Sequence, residues 1–221
     1  MLKIKMIELR EKLIYESSLV EKMLNNAIYG LLESDSNKLH TALEYEDLIN
    51  HTEMEIEELC INMIALYQPE AKNLRTIIMI LKTNSDFERM GDQGVNIVEA
   101  ANFLIERPAL KPLLAISAMA KETINMLKNA LNAYIEEDVI ISKEICVFDD
   151  VIDSYHDQIS RELITYMLSD PQSIERSLRL LDVAENLERI ADLCTNIAEN
   201  TIFIKEGRVI KHNIESSSSS I

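Results

Sequence analysis

The sequence predicts an all-α protein, and three observations carry that prediction. The chain of 221 residues holds only four glycines and four prolines, while 47% of it is hydrophobic. Turn-rich β folds need far more Gly and Pro, and helices need few. Apolar residues recur at threes and fours over long stretches, which is the helical period. Finally, the chain repeats itself: "DFERMGDQGVNIVEA" from Asp86 and "NLERIADLCTNIAEN" from Asn186 share six of the twelve positions between Glu88 and Glu99.

The prolines and short polar breaks divide the chain into six helices. The first half predicts helices over about 3–33, 36–67 and 70–107, and the second over about 114–135, 138–169 and 172–206. Ser34-Asp35-Ser36 and Glu136-Glu137-Asp138 supply the breaks inside each half. Pro69 follows the second helix. Asp170 and Pro171 pair an N-cap with a first helical residue. Gly207 stands where the last helix should end. "PALKP", from Pro108 to Pro112, is the one credible linker. The expected organisation is one repeat over 1–107, a linker over 108–113, a second repeat over 114–207 and a disordered Ser-rich tail over 208–221.

The periodicity assigns the buried faces. In the second helix Ala42, Tyr45, Ile49, Thr52, Ile56, Cys60, Met63 and Tyr67 share one side. In the third, Phe87, Met90, Gly91, Gly94, Val98 and Ala101 do the same. Gly91 and Gly94 each cost a helix about 1 kcal/mol against Ala. Close packing is the expected return, since the second copy has the small residues Ala191 and Cys194 there. The repeat extends further: "EKMLNNAI" resembles "INMLKNAL", "YEDLIN" resembles "FDDVID", and "QPEAKNLR" answers "DPQSIERS". Two duplicated three-helix units in one continuous helical domain, with pseudo-twofold symmetry, are therefore expected.

The formal charge of −16 disfavours a nucleic-acid ligand, which needs a basic footprint. It disfavours an anionic membrane surface equally. Cations, or a partner protein with a basic surface, suit it better. No apolar run reaches the length of a membrane span, and the opening "MLKIKMIELREKL" lacks the apolar core of a signal peptide. Cys60, Cys146 and Cys194 have no CxxC spacing, which fits a reduced cytoplasm.

The identities between the copies are polar, so core packing does not account for them. Glu88, Asp92, Asn96 and Glu99 form a stripe beside the apolar face, and Glu188, Asp192, Asn196 and Glu199 repeat it. The second helix of each half adds Glu46 with Asn50, and Asp149 with Asp153, again four apart. Two readings stand. Any one such pair fits a solvated polar face, with Arg89 and Arg189 offsetting part of the charge. If the helices pack side by side, the carboxylates converge, and oxygen-rich sites suit hard cations such as Mg, Mn, Ca or ferric iron. Carboxylate-bearing bundles also include di-iron enzymes, which need Glu-x-x-His on two helices. This chain has none. Its nearest approach is Asp153-x-x-His156, whose counterpart is Asn50-x-x-Glu53. Its four histidines form no repeated pattern and fit incidental surface positions, and no phosphate loop or nucleophile elbow occurs. A carboxylate-bridged metalloenzyme and a purely structural helical dimer are the competing alternatives.

"LERIADLCTNIAE" and "FERMGDQGVNIVE", with "EDLIN", "DDVID" and the "YQPEAKNLR" turn, resemble the PhoU family over about residues 5–206. The resemblance implies two tandem three-helix PhoU repeats. It implies a cytoplasmic, non-enzymatic negative regulator of phosphate homeostasis. Such a regulator restrains a Pst-type phosphate ABC transporter through its PstB-like ATPase and relays its state to a PhoR-like sensor histidine kinase. It also implies metal ions, iron or else Mg, Mn or Zn, on [Glu/Asp]-x-x-x-Asp motifs. Those motifs fall on Glu88/Asp92, Glu188/Asp192 and Asp149/Asp153. Glu46/Asn50 is the departure from the pattern, with Asn50 weakening one site. Homodimers are consistent with the resemblance.

Overall fold

Six long helices build the molecule in the computed structural model, which describes residues 1–110 and 113–207. Pro112 and the expected tail over 208–221 lie outside the described residues, as does the side chain of Leu114. The helices are α1 (Leu2–Glu33), α2 (Ser36–Tyr67), α3 (Ala71–Ile105), α4 (Leu114–Glu136), α5 (Val139–Ser169) and α6 (Ile174–Glu206). No strand occurs among the described residues.

The helix boundaries follow local chemistry, and the two halves use the same devices. Asp35 accepts hydrogen bonds from the backbone N–H groups of Asn37 and Lys38 at the start of α2. Asp138 does the same for Ile140 and Ile141 at the start of α5. These caps satisfy donors that no helical carbonyl can reach. Just before them, Ser34 and Glu137 adopt left-handed backbone. The next N–H groups then turn back, Asp35 to the Gly30 carbonyl and Asp138 to the Ala133 carbonyl, both at 2.9 Å. Gly207 ends α6 at φ 69°, donating to the Phe203 carbonyl.

The start of α6 differs slightly from expectation. Asp170 caps, accepting from the Gln172 N–H at 2.9 Å, and Pro171 follows it. The first turn, Pro171–Ser173, is a 3₁₀ turn and α6 begins at Ile174. The Ser173 hydroxyl donates to the Asp170 carbonyl at 2.7 Å, tightening that turn.

Within each half the three helices pack on one another, and the halves meet through α3 against α6 and α1 against α4. One hydrophobic core runs through both. Phe87 is its largest fully buried side chain, worth about 1.5–3 kcal/mol of burial. The predicted α3 face is buried throughout. On α2, Tyr45 and Tyr67 are half-buried and pack against the core, while the other predicted positions are buried. Cys60 and Cys194 are buried thiols, as expected of core residues.

The two interior glycines of α3 have different roles. A Cβ at Gly94 would stand 2.8 Å from Met23 Cε, so α1 does approach closely there. A Cβ at Gly91 would meet Ile49 at 3.6 Å, an ordinary contact. Close packing accounts for Gly94 and not for Gly91.

At one end of the bundle, cations from three helices converge on one carboxylate. Lys72, Arg10 and Lys205 reach Glu137 at 2.8, 3.3 and 3.9 Å. This cluster joins α1 and α3 of the first half to the C-terminus of α4 and, through Lys205, to α6.

Candidate functional site

Side-by-side packing of α2 with α3, and of α5 with α6, sets two acidic ridges against each other in each half. In the second half all four motif carboxylates fall within range of one another. Burial, and then the charges of Asp192, Asp153, Asp150 and Glu188, push the Asp149 carboxyl up to about 6. Burial and the charge of Asp153 raise Asp192. Burial raises Glu188 as well; the His156 imidazole opposes that shift, while Asp192, Asp153 and Glu185 add to it. These groups carry negative charge that the fold itself does not neutralise.

The first half assembles the same face with different residues. Burial, then the charges of Asp92, Glu53 and Glu46, raise Glu88, with Arg89 opposing. Asn50 donates its side-chain amide to Glu46 Oε1 at 2.6 Å. The departure from the acidic motif therefore gives Glu46 a neutral partner where Asp149 faces Asp153. Burial and Glu57 raise Glu53.

Behind this face, α1 places Glu16 in the core. Glu16 is 0% exposed, and neither carboxyl oxygen has a hydrogen-bond partner. Burial, followed by the charges of Glu53 and Glu88, pushes its carboxyl up to about 9. A buried carboxyl without a partner, raised further by two nearby carboxylates, is a strained arrangement that positive charge would relieve. By donor chemistry alone, the oxygen-rich first half suits a hard cation. Among the described residues, no three His, Cys, Asp or Glu side chains already stand as a metal-holding group; a cation here would draw flexible side chains inward.

The repeated stripe of the two copies divides by position. Glu88 acts on the α2 side through Glu53 and Glu46, and Glu188 and Asp192 on the α5 side through Asp153. Each step of four residues turns a helix by about 40°, so Asn96 and Asn196 swing round to the seam between α3 and α6. Asn96 donates to Asn186 Oδ1 at 3.1 Å, and Asn196 hydrogen-bonds Asp86. Burial lifts Asp86 to about 6, while Arg89, Asn196 and Lys82 oppose the shift. Glu99 is exposed, and Glu199 is half-buried. Burial and then the charges of Glu199 and Asp149 push the Cys146 thiol up to about 11. The arginines do not close on the motif acids: Arg89 pairs with Asp86 at 3.7 Å, and Arg189 with Glu185.

Three residues of this neighbourhood are not motif residues. Glu53 and His156 lie one turn beyond the motif pairs of α2 and α5, and the Asp153-x-x-His156 spacing is their signal. Glu16 has no acidic counterpart in the second half, so comparing the copies does not reveal it. Its signal is a carboxylate inside the apolar series Leu9, Leu13, Val20 and Met23 on α1, all buried.

The fold and its two acidic faces define a tandem-repeat helical bundle. The chain belongs to the PhoU family: a family model described as PhoU domain matches residues 16–101 and again 116–201. The "Phosphate-specific transport system accessory protein PhoU homolog" of Aquifex aeolicus is 40% identical over 205 residues, covering 93% of each chain. The PhoU protein of Escherichia coli bearing the same accessory-protein description is 30% identical, over 92% of this chain and 85% of its own. The crystal structure of PhoU from Pseudomonas aeruginosa superposes with a TM-score of 0.91 at 32% identity, covering 94% of this chain and all of that one. The regulatory protein PhoU from Streptococcus pneumoniae superposes with a TM-score of 0.88 at 27% identity, over 96% and 100%. The two tandem three-helix repeats expected from the sequence are thus present. No described helix is long and apolar enough to cross a membrane.

Proposed function

We propose that this protein is a metal-binding, non-enzymatic regulator of phosphate homeostasis. It acts in the cytoplasm as a homodimer that restrains a Pst-type phosphate ABC transporter by docking on its PstB-like ATPase. It conveys transporter state to a PhoR-like sensor histidine kinase. The relatives named as accessory proteins of phosphate-specific transport support this reading. The observation that carries it is the duplicated acidic face. Carboxylates on α2 with α3, and on α5 with α6, hold unneutralised charge in both halves.

Glu46, Glu88 and Asp92 would hold a cation in the first half, with Asn50 contributing its side-chain carbonyl. Asp149, Asp153, Glu188 and Asp192 would hold one in the second. The cation supplies positive charge that relieves repulsion between neighbouring helices. The residues themselves fix the ridges at a set spacing, so the docking surface keeps one shape. A carboxylate-bridged metalloenzyme lacks a supporting observation here: α2 carries Glu53 where α5 carries His156, so the paired Glu-x-x-His of such enzymes is missing.

Deleting the gene and measuring phosphate-regulated expression tests the proposal. Derepression in high phosphate is expected. Unchanged repression overturns the regulatory role.

A further inference from the structure

We infer that the tips of the α2–α3 and α5–α6 hairpins are two equivalent docking patches. Each takes an amphipathic helical segment with apolar anchors and a basic flank, so that one chain engages a partner presenting that segment twice. This rests on the docking role proposed above and locates it; no bound cation enters it.

The motivating feature is a set of exposed apolar side chains that both repeats keep. Matching "YEDLIN" to "FDDVID", and Glu88 to Glu188, places Ile61 opposite Ile164, Leu74 opposite Ile174 and Ile78 opposite Leu178. All six are exposed, Ile61 at 55% and Ile164 at 52%. A single exposed apolar residue needs no explanation. Exposed Met54, Ile140 and Val147 are answered by Asp157, Asn37 and Glu44, so the fold accepts polar residues at such places. Leu48 and Val151 are kept too, but thirteen residues earlier and on another side of the helix. The three pairs above instead cluster. Ile61 and Ile78 lie eight and nine residues either side of Pro69, and Ile164 and Leu178 seven either side of Pro171. Packing of α2 on α3, and of α5 on α6, therefore brings each pair level. Leu66 and Leu168, in the last turns of α2 and α5, add further exposed apolar surface.

Charge identifies the occupant. On α3, Ile78, Ser85 and Asp92 succeed one another at sevens, and on α6 Leu178, Glu185 and Asp192 do so. Seven residues are nearly two full turns, so each patch runs along its helix into the acidic face. On α2, Ile61, Glu57 and Glu53 continue the line at fours. The chain's own cations nearby are engaged: Lys82 and Arg89 act on Asp86, Arg161 pairs with Asp157 at 3.4 Å, and Arg179 with Asp182 at 3.2 Å. An apolar tip that merges into carboxylates, on a chain of net charge −16, complements apolar anchors at helical spacing with Lys or Arg beyond them. It repels an acidic segment or an anionic lipid surface. The two patches also lie far apart. Arg179 stacks 5.5 Å from the Phe103 ring, which sets Leu178 level with Phe103. Ile78 is twenty-five residues back along α3, about 37 Å at 1.5 Å per residue. Two patches related by a pseudo-twofold axis at that distance match a partner that is itself a symmetric pair.

The test titrates the intact chain with a fluorescent synthetic helical peptide, Leu at helical spacing on one face and Lys along the flank. A matched peptide has Glu for every Lys. Two equivalent sites per chain are expected for the Lys peptide. Ile61→Ser with Ile78→Ser should leave one site, Ile164→Ser with Leu178→Ser should leave the other, and the four together should weaken binding at least tenfold. All four positions are exposed, and circular dichroism checks that each variant is folded. The Glu peptide should bind at least tenfold more weakly than the Lys peptide, and added salt should narrow that gap. Absence of binding, binding indifferent to the four substitutions, or equal binding of the Glu peptide overturns the inference. So does sedimentation of the unmodified chain as a dimer that the four substitutions convert to monomer, since a second copy then covers the patches. Each of these outcomes leaves the regulatory role standing, because gene deletion tests that role separately.

Discussion

Asn96 on α3 donates its side-chain amide to Oδ1 of Asn186 on α6 at 3.1 Å, and the related pair Asn196 and Asp86 joins the same two helices. These bonds cross the seam between the repeats at positions equivalent under the pseudo-twofold axis. They lock the relative register of two otherwise apolar helix faces. Asn186 is buried and donates its own amide to the Asp182 carbonyl at 2.6 Å. Asn96→Ala leaves Asn186 Oδ1 unpaired and should cost about 1–3 kcal/mol. Urea denaturation of Asn96→Ala, Asn186→Ala and the double variant checks this. The two losses should fail to add, because the residues share one bond.

The glycines of α3 give a contrasting pair. Gly91→Ala gains up to about 1 kcal/mol of helix propensity and meets only Ile49 at a normal distance. Its midpoint of thermal unfolding should rise. Gly94→Ala makes the same propensity gain but drives a Cβ to 2.8 Å from Met23. The end of the flexible Met23 side chain must shift within a packed core to admit it, so its midpoint should rise less than that of Gly91→Ala. Thermal melts of the two variants, side by side, decide.

Glu16 sets a pH dependence of stability. Its folded carboxyl is pushed up to about 9, from an ordinary value of 4.5, by burial and by Glu53 and Glu88. Between those values the folded chain holds a proton that the unfolded chain has released. The stability this contributes is complete below the unfolded value and is lost as pH rises through about 9. Asp86 and Asp149, both raised to about 6 and first of all by burial, act in the same direction at lower pH. Metal-free protein should therefore melt at a higher temperature at pH 6 than at pH 9. Glu16→Gln should flatten that difference, and equal slopes for the two proteins would refute the assignment.

Asp92 and Asp192 are exposed, so removing either should spare the helices. Asp92→Ala and Asp192→Ala should each lower cation affinity by at least the roughly 10–100-fold that losing even an outer-shell partner costs. Far-ultraviolet circular dichroism should not change. Loss of helicity with metal content intact would mark these residues as structural. Affinity in the second repeat should also fall between pH 7 and pH 5, as protons fill Asp149 near 6.

The fold was legible because each level of the sequence agrees with the next. Asp35 and Asp138 cap, Gly207 stops α6, and the α3 face from Phe87 to Ala101 is buried as its period requires. The acidic faces were legible through duplication, which exposes polar residues that packing alone does not need. Two things were hidden. Asn96 and Asn196 share the stripe of Glu88 and Glu188 in sequence, yet helical rotation carries them to another interface, and only the packing of α3 on α6 reveals it. Glu16 is unpaired in the repeat, and its burial depends on three helices meeting. The sequence alone makes Gly91 look like a packing glycine, because it cannot measure the 3.6 Å to Ile49.

The chemistry of the α3–α6 boundary has one more implication. A second repeat facing a copy of itself would oppose Asn196 with Asn186 at both ends, and amides satisfy amides. A first repeat facing its twin would oppose Asn96 with Asp86, again donor to acceptor. At these two positions each repeat therefore carries both kinds of partner that the seam uses. The polar lettering of this boundary is compatible with descent from an ancestor half as long that worked as a pair.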